Sequence, residues 1–250
     1  MNKKKMMILF SATTALTLAA CGGNNSSSST TSTEAGTAKT KYASEVTHEG
    51  TPIKGGTLKY AIVSSSPFSG IFADELSQVT TDSTIGGLID ESMFEYDENR
   101  KLTNTGLASI EFDVENKTAT VTLNSKEYKW SDGQPVTIDD YIFAYQAIGN
   151  KDYTGVRYDG DFKNVVGMED YHNGKADSVS GLEKVDDYTV KIHFKEMSPS
   201  MQLAGGSVCA YIMPKHIFKD IPEAEWEKSE YVRGTKFVGL GQFKIESIVA

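Results

Sequence analysis

The sequence predicts an α/β or α+β body of roughly 200 residues, set behind an exported and tethered amino terminus. Three observations predict it. Apolar runs with a period of two are interleaved with runs of helical period, as expected when strands and helices share one core. No self-similarity recurs at any period from about 20 to 50 residues, which excludes solenoids and propellers. Of the 250 residues, those after about the fiftieth are enough for one large domain or two small ones with a core of their own.

Charge and cysteine content narrow the function classes. Lys and Arg number 25 against 34 Asp and Glu, a net charge of −9. Loss of the first twenty residues would remove Lys3, Lys4 and Lys5 and no acid, leaving a still more acidic chain. No nucleic-acid partner is expected, because that surface needs a concentrated positive field to displace counterions. With Cys21 and Cys209 as the two cysteines, neither a disulfide framework nor a four-cysteine metal site can be built.

At the amino terminus, basic residues 1–5 precede an apolar stretch of about thirteen residues and then the small pair Ala19-Ala20, the pattern of a secretory signal peptide over residues 1–20. The stretch falls short of the ~20 apolar residues that cross a bilayer. Leu18-Ala19-Ala20-Cys21 resembles the lipobox of bacterial lipoproteins, which implies that Cys21 is lipidated and becomes the mature amino terminus. Two acyl chains, at about 0.8 kcal/mol per buried methylene, hold a protein durably on a membrane. Residues 21–50, rich in Ser, Thr, Gly and Asn, cannot bury enough surface to offset their ordering entropy and read as a flexible leash.

The body is expected to open with Gly55-Gly56-Thr57-Leu58 and a strand to Val63, stopped by Ser64-Ser65-Ser66-Pro67. Ile85, Leu88, Ile89 and Met93 suit one face of a short helix over 83–94. Residues 109–114 and 119–123 form a hairpin about Glu115-Asn116-Lys117. A second helix starts at Thr137 as N-cap, carries Asp139 and Asp140 in its first turn and stops at Gly149-Asn150. Further strands are expected at 188–194, from the alternation of Val190, Ile192 and Phe194, at 208–213 and at 237–248.

Catalytic and metal-binding patterns are absent from the sequence. His48, His172, His193 and His216 are scattered with no second ligand at metal spacing, and His193 reads as a solvent-facing strand residue. Asp97-Glu98-Asn99 starts like a calcium loop but lacks the central glycine and the closing glutamate, so it reads as a turn. There is no G-x-S-x-G elbow and no phosphate-binding glycine run; Gly239-Leu240-Gly241 lacks the third glycine. Asp139-Asp140 and Asp186-Asp187 read as caps or solvated faces in an acidic chain. No enzyme and no cofactor are expected. Cys209 reads as a buried structural thiol.

Trp130-Ser131-Asp132-Gly133-Gln134-Pro135-Val136-Thr137, followed by Asp140, resembles the W-S-D-G-x-P-V-T-x-x-D signature of the family 5 extracytoplasmic solute-binding proteins, the oligopeptide receptors of ABC importers. Gly55-Gly56-Thr57-Leu58, Glu91-Ser92-Met93-Phe94, the run from Val185 to Val190, Pro214-Lys215-His216 and the run from Val238 to Phe243 are similar to further family motifs in the family's order; Gln242 departs from the usual proline. The resemblance implies an α/β, periplasmic-binding-protein-like fold of type II, cluster C. In it, 51–92 and 195–250 are segments of domain I, 93–194 is domain II, and domain III, the opposing lobe, lies beyond residue 250 and is missing from this chain. It also implies a monomeric lipoprotein that captures extracellular oligopeptides and delivers them to an ABC permease and ATPase, anchored to the outer face of the cell membrane by its lipid. Ligand contacts carried over by counting from the motifs fall on Gln78, Val79, Thr80 and Tyr158. The open alternatives are a peptide or pheromone sensor, a truncated paralogue that transports nothing, a family member for another solute such as nickel or a sugar, and a secreted enzyme using an acid pair.

Overall fold

In a computed structural model, residues 54–204 and 208–249 are described. The signal segment, Cys21, His48 and the leash lie outside them. The chain divides into Met1–Leu58 and Lys59–Ala250; of the first unit only residues 54–58 are described, and they carry no regular element.

The second unit is organised by one sheet and one helix. Strands β1 (Ala108–Asp113) and β2 (Thr118–Leu123) form the expected hairpin, and Lys117 turns it at a φ of 53°. Strands β3 (Leu182–Asp186) and β4 (Thr189–His193) form a second hairpin; β4 was legible in the sequence and β3 was not, because its side chains lie largely in solvent. Antiparallel pairing of Val121 with Val190 and of Ala119 with Ile192 joins the hairpins in the order β1-β2-β4-β3. The period of two places Ala108, Ile110, Ala119, Val121, Leu123, Val190 and Ile192 in the core.

Between the hairpins runs helix α2 (Ile138–Gly149), where the sequence places it. Ile138, Tyr141, Ala144, Tyr145 and Ile148 fall on one stripe and are fully buried. The Asp140 carboxylate accepts the Thr137 N–H at 3.0 Å, the return half of a capping box. The same carboxylate accepts the Trp130 indole Nε1–H at 3.2 Å and the Lys215 N–H at 3.0 Å. The signature residues therefore form a structural knot in which Asp140 ties the Trp130 turn and the Pro214-Lys215-His216 turn to the start of α2. His216 adds a 2.8 Å contact to Asp132 of that turn, whose Gly133 takes a φ of 93°.

Helix α1 spans Thr80–Ile89, earlier than the expected 83–94. It ends there because Asp90 is extended and the next residues are drawn to another segment: Met93 N–H donates to Ala210 O at 2.9 Å, as does Ser92 Oγ at 3.2 Å. Short helices α3 (Gly160–Lys163), α4 (Met168–His172), α5 (Lys215–Phe218) and α6 (Glu230–Arg233), with 3-10 turns at Pro199–Gln202 and Glu223–Lys228, are the remaining helical elements among the described residues.

Three expected strands are corrected. Residues 57–63 form no ladder, and Leu58, Tyr60 and Val63 are exposed. An alternating pattern makes a chain two-faced but supplies no neighbour to bond, and no strand among the described residues lies alongside. Residues 208–213 make single backbone bonds, not a ladder, and are held by side chains as well: Met93 N–H donates to Ala210 O, Tyr141 OH donates to Cys209 O at 2.8 Å and Cys209 N–H donates to Tyr145 OH at 3.0 Å. Residues 237–248 pack as an irregular segment against the end of α1, where Gly241 N–H and Phe243 N–H donate to Ile89 O and Leu88 O. A Cβ on Gly239 would lie 2.2 Å from Ile89 O, so the two glycines serve close backbone approach. Among the described residues no helix is long and apolar enough to cross a membrane.

Candidate functional site

The loop that leads into α1 is pinned from two sides. Asp82, fully buried in the first turn of α1, accepts the Ser69 N–H at 2.9 Å, the Ile71 N–H at 3.0 Å and the Ser69 hydroxyl. Burial opposes its ionisation, but the hydrogen bonds from Ser69, Ile71 and Gly70 outweigh that and hold the carboxyl below its ordinary range. From α6, Phe72 N–H reaches Val232 O at 2.9 Å and Arg233 Nη1 reaches Ser69 O at 2.6 Å.

The second clasp comes from residues 153–157, just past α2. Arg157 Nη2 donates to Asp74 O and to Ser77 O, both at 3.2 Å, and the Tyr153 hydroxyl donates to Glu75 O. The guanidinium lies over the Tyr211 ring, 5.4 Å from its centroid. Glu75 is buried beneath this loop. Burial pushes its carboxyl up to about 8; its own backbone N–H and Arg157 pull the other way, and Asp90 and Asp74 add to the rise.

Two cavities open on either side of Val156 and Arg157. One, of about 400 Å³, is lined by Ser77, Gln78, Val79, Thr80 and Ser83 at the amino-terminal end of α1, with Val156 and Arg157 opposite. The other, of about 320 Å³, has Tyr96, Phe162, Val208 and Tyr211 as its aromatic and aliphatic wall and Asp159 and Asp161 among its polar lining.

Of the four ligand positions expected from the sequence, the structure brings Gln78, Val79 and Thr80 together on the first cavity, facing Arg157. Tyr158 is not among the residues lining either cavity. Its ring stacks on His172 with centroids 3.9 Å apart and 18° between planes, and Lys163 Nζ lies 5.2 Å from its centroid. Arg157, which lines both cavities, was missed. The sequence holds three arginines, and this one stands beside Gly155 in a loop with nothing near it in sequence to mark a partner.

The other candidate groups resolve as structural. His172 Nδ1 lies 3.0 Å from Gly149 O, His193 Nε2 lies 2.9 Å from Glu183 Oε2, and Asp97 Oδ1 accepts the N–H groups of Asn99 and Lys101, as a turn would. Asp139 pairs with Lys184 at 2.7 Å on the surface. Cys209 is buried, and burial raises its thiol far above the ordinary range. Among the described residues no group of three or more His, Cys, Asp or Glu side chains could hold a metal ion.

Comparisons with known proteins point one way. Residues 104–250 match the family described as bacterial extracellular solute-binding proteins, family 5, middle part. The chain is 38% identical over 193 residues to the oligopeptide-binding protein OppA of Lactococcus lactis subsp. lactis, covering 75% of this chain and 32% of that protein. It superposes on the structure of lactococcal OppA complexed with an endogenous peptide in the closed conformation, with a TM-score of 0.69 at 36% identity, over 75% of this chain and 35% of that one. AppA from Bacillus subtilis, solved with a nonapeptide, gives 0.57 at 26% identity over 72% and 32%. The chain thus spans about a third of the length of the relatives it matches. The fold is that of OppA-type periplasmic binding proteins, a mixture of helix and sheet.

Proposed function

The chain belongs to the bacterial extracellular solute-binding proteins of family 5, and on that premise we propose that it is the substrate-binding lipoprotein of an ABC importer, capturing oligopeptides outside the cell. The observation that carries the reading is the pair of cavities about Val156 and Arg157, with Gln78, Val79 and Thr80 on one wall, in a chain 38% identical to an oligopeptide-binding protein. Gln78 and Thr80, exposed at the start of α1, and a wall of uncharged residues about Arg157 suit recognition of a peptide main chain, which tolerates many side chains.

In the same reading Cys21 carries the lipid that anchors the protein to the outer face of the membrane, and residues 22–50 let the body reach a permease and ATPase. Residues 51–92 and 195–250 belong to one domain and 93–194 to a second. Tyr158 serves the ligand from outside the two cavities described. The working unit is a monomer, and the family is one of solute binders rather than enzymes.

The decisive experiment is a thermal melt of the full-length protein with a mixed pool of short peptides. Ligand that binds the native state alone raises the midpoint, by about 2.7 kcal/mol of stability at a hundredfold excess over Kd. A rise with a sugar or a nickel salt and none with peptides would overturn the peptide assignment. For the anchor, palmitate labelling and membrane retention should disappear in Cys21→Ala; equal labelling in that variant would overturn it.

A further inference from the structure

Arg157 stands out among the charged groups of the cleft because its structural bonds leave most of it unused. Nη2 is committed to Asp74 O and Ser77 O, but both acceptors are neutral carbonyls. Nη1 has no protein partner among the described residues, and Nε is buried without one. No carboxylate of a described residue lies within ion-pairing distance of the guanidinium, whereas Lys184, Lys195, His193 and His216 each have one.

The surroundings leave this cation uncompensated on the side facing the first cavity. Apart from Arg157, the lining residues Ser77, Gln78, Val79, Thr80, Ser83 and Val156 carry no charge, and none is an acid. Asp159 and Asp161 line the second cavity, not the first, and the acids of the α1 loop are turned to other tasks, Asp82 to the N–H groups of Ser69 and Ile71. Asp74 accepts the Ser83 hydroxyl at 2.7 Å, and Glu75 is packed into the interior, where burial keeps it protonated at neutral pH. The same cavity is lined by the amino-terminal end of α1, where the N–H groups of Thr80 and Thr81 have no partner among the described residues, while the Asp82 carboxylate of that turn is taken up by Ser69 and Ile71.

We propose that Arg157 is a specificity-determining residue which, with the amino-terminal end of α1, receives a carboxylate of the bound peptide in the cavity beside Gln78, Val79 and Thr80. The inference rests on the peptide-binding reading above and adds which peptide group sits there. A guanidinium whose Nη2 is held by two carbonyls and whose Nε is buried keeps the two N–H groups of Nη1 in a fixed direction, a charge-assisted donor for one oxygen of a carboxylate. The carboxylate could be the peptide's terminus or an acidic side chain, and the two sources separate experimentally.

The test measures the affinity of full-length protein for four matched peptides by calorimetry: neutral side chains with a free carboxyl terminus, the same peptide amidated, and each again with one glutamate. The wild type is expected to prefer carboxylate-bearing ligands by about tenfold. If the terminus is read, amidation abolishes the preference whatever the side chains; if a side chain is read, the glutamate restores it in the amidated peptide. Arg157→Gln and Arg157→Lys then separate recognition from loop support. Loss of the Asp74 and Ser77 bonds alone would weaken all four peptides by the same factor. Recognition predicts that Arg157→Gln brings the ratio of carboxylate to amide affinities close to one, while Arg157→Lys keeps part of it. Equal affinity of the wild type for all four peptides overturns this inference and leaves the peptide reading standing, as does a ratio unchanged in Arg157→Gln. Failure to bind any of the four overturns both.

Discussion

Replacing Asp140 by alanine tests the claim that the signature residues are a knot rather than a binding element. The carboxylate accepts three N–H groups, from the Trp130 indole, from Thr137 and from Lys215. Trp130 is 2% exposed, so its donor would be left without water, at a cost of about 1–3 kcal/mol. Thr137 and Lys215 are half-buried and can recover part of their loss from solvent, while forfeiting the cap costs about 1 kcal/mol. Against this, burial pushes the Asp140 carboxyl above its usual range despite its hydrogen bonds, so removing it also relieves a desolvation cost. The balance is a loss of about 2–4 kcal/mol for Asp140→Ala. In Asp140→Asn the amide oxygen can keep the two donors now on Oδ2, but its NH₂ then faces the Lys215 N–H, and about half the loss is expected. Urea unfolding followed by tryptophan fluorescence measures both. An alanine variant within about 0.5 kcal/mol of wild type would refute the knot, leaving the turn and helix held by packing alone.

Three further outcomes follow from named contacts. Glu75 has a folded pKa raised to about 8 from an ordinary 4.5, so the native state keeps a proton that the unfolded chain releases; stability should fall as pH rises through that window, and Glu75→Gln should flatten the profile in melts at a series of pH values. Parallel profiles for the two proteins would contradict the assignment. Gly239→Ala should lower stability by about 2 kcal/mol or more, because its Cβ would meet the Ile89 carbonyl oxygen; an unchanged urea midpoint would show that the 237–248 segment is not seated on α1. In a Cys21→Ala background, Cys209 should resist iodoacetamide until denaturant is added, since its thiol is buried and held neutral; native labelling at the unfolded rate would place it at the surface.

What the sequence made legible was local. The β1–β2 hairpin, the N-cap of α2 and its buried stripe each arise from contacts a few residues apart, which periodicity and turn chemistry report directly. Residues 57–63, 208–213 and 237–248 were misread for a shared reason: alternation reveals two faces, but whether such a segment joins a ladder depends on a neighbour remote in sequence. For 208–213 the partners are Tyr141 and Tyr145 on a helix, a pairing no strand pattern encodes. Gln78, Val79 and Thr80 could be located only by counting from a resemblance, and Arg157 not at all, because its role comes from carbonyls about 80 positions away.

The way the two hairpins meet also dictates an order of assembly. Each hairpin closes a loop of a few residues and can form within microseconds. The β2–β4 seam, by contrast, brings Thr122 against Thr189, and the Ser92 contact to Ala210 spans 118 positions. Loop-closure entropy grows by only about 0.6 kcal/mol per doubling of length, so these closures are thermodynamically mild. They are slow all the same, since none can begin until the later residues have been made. A nascent chain ending before residue 208 therefore carries α2 with the Tyr141 and Tyr145 hydroxyls lacking their Cys209 partners, so this buried end of the core is the last to be sealed.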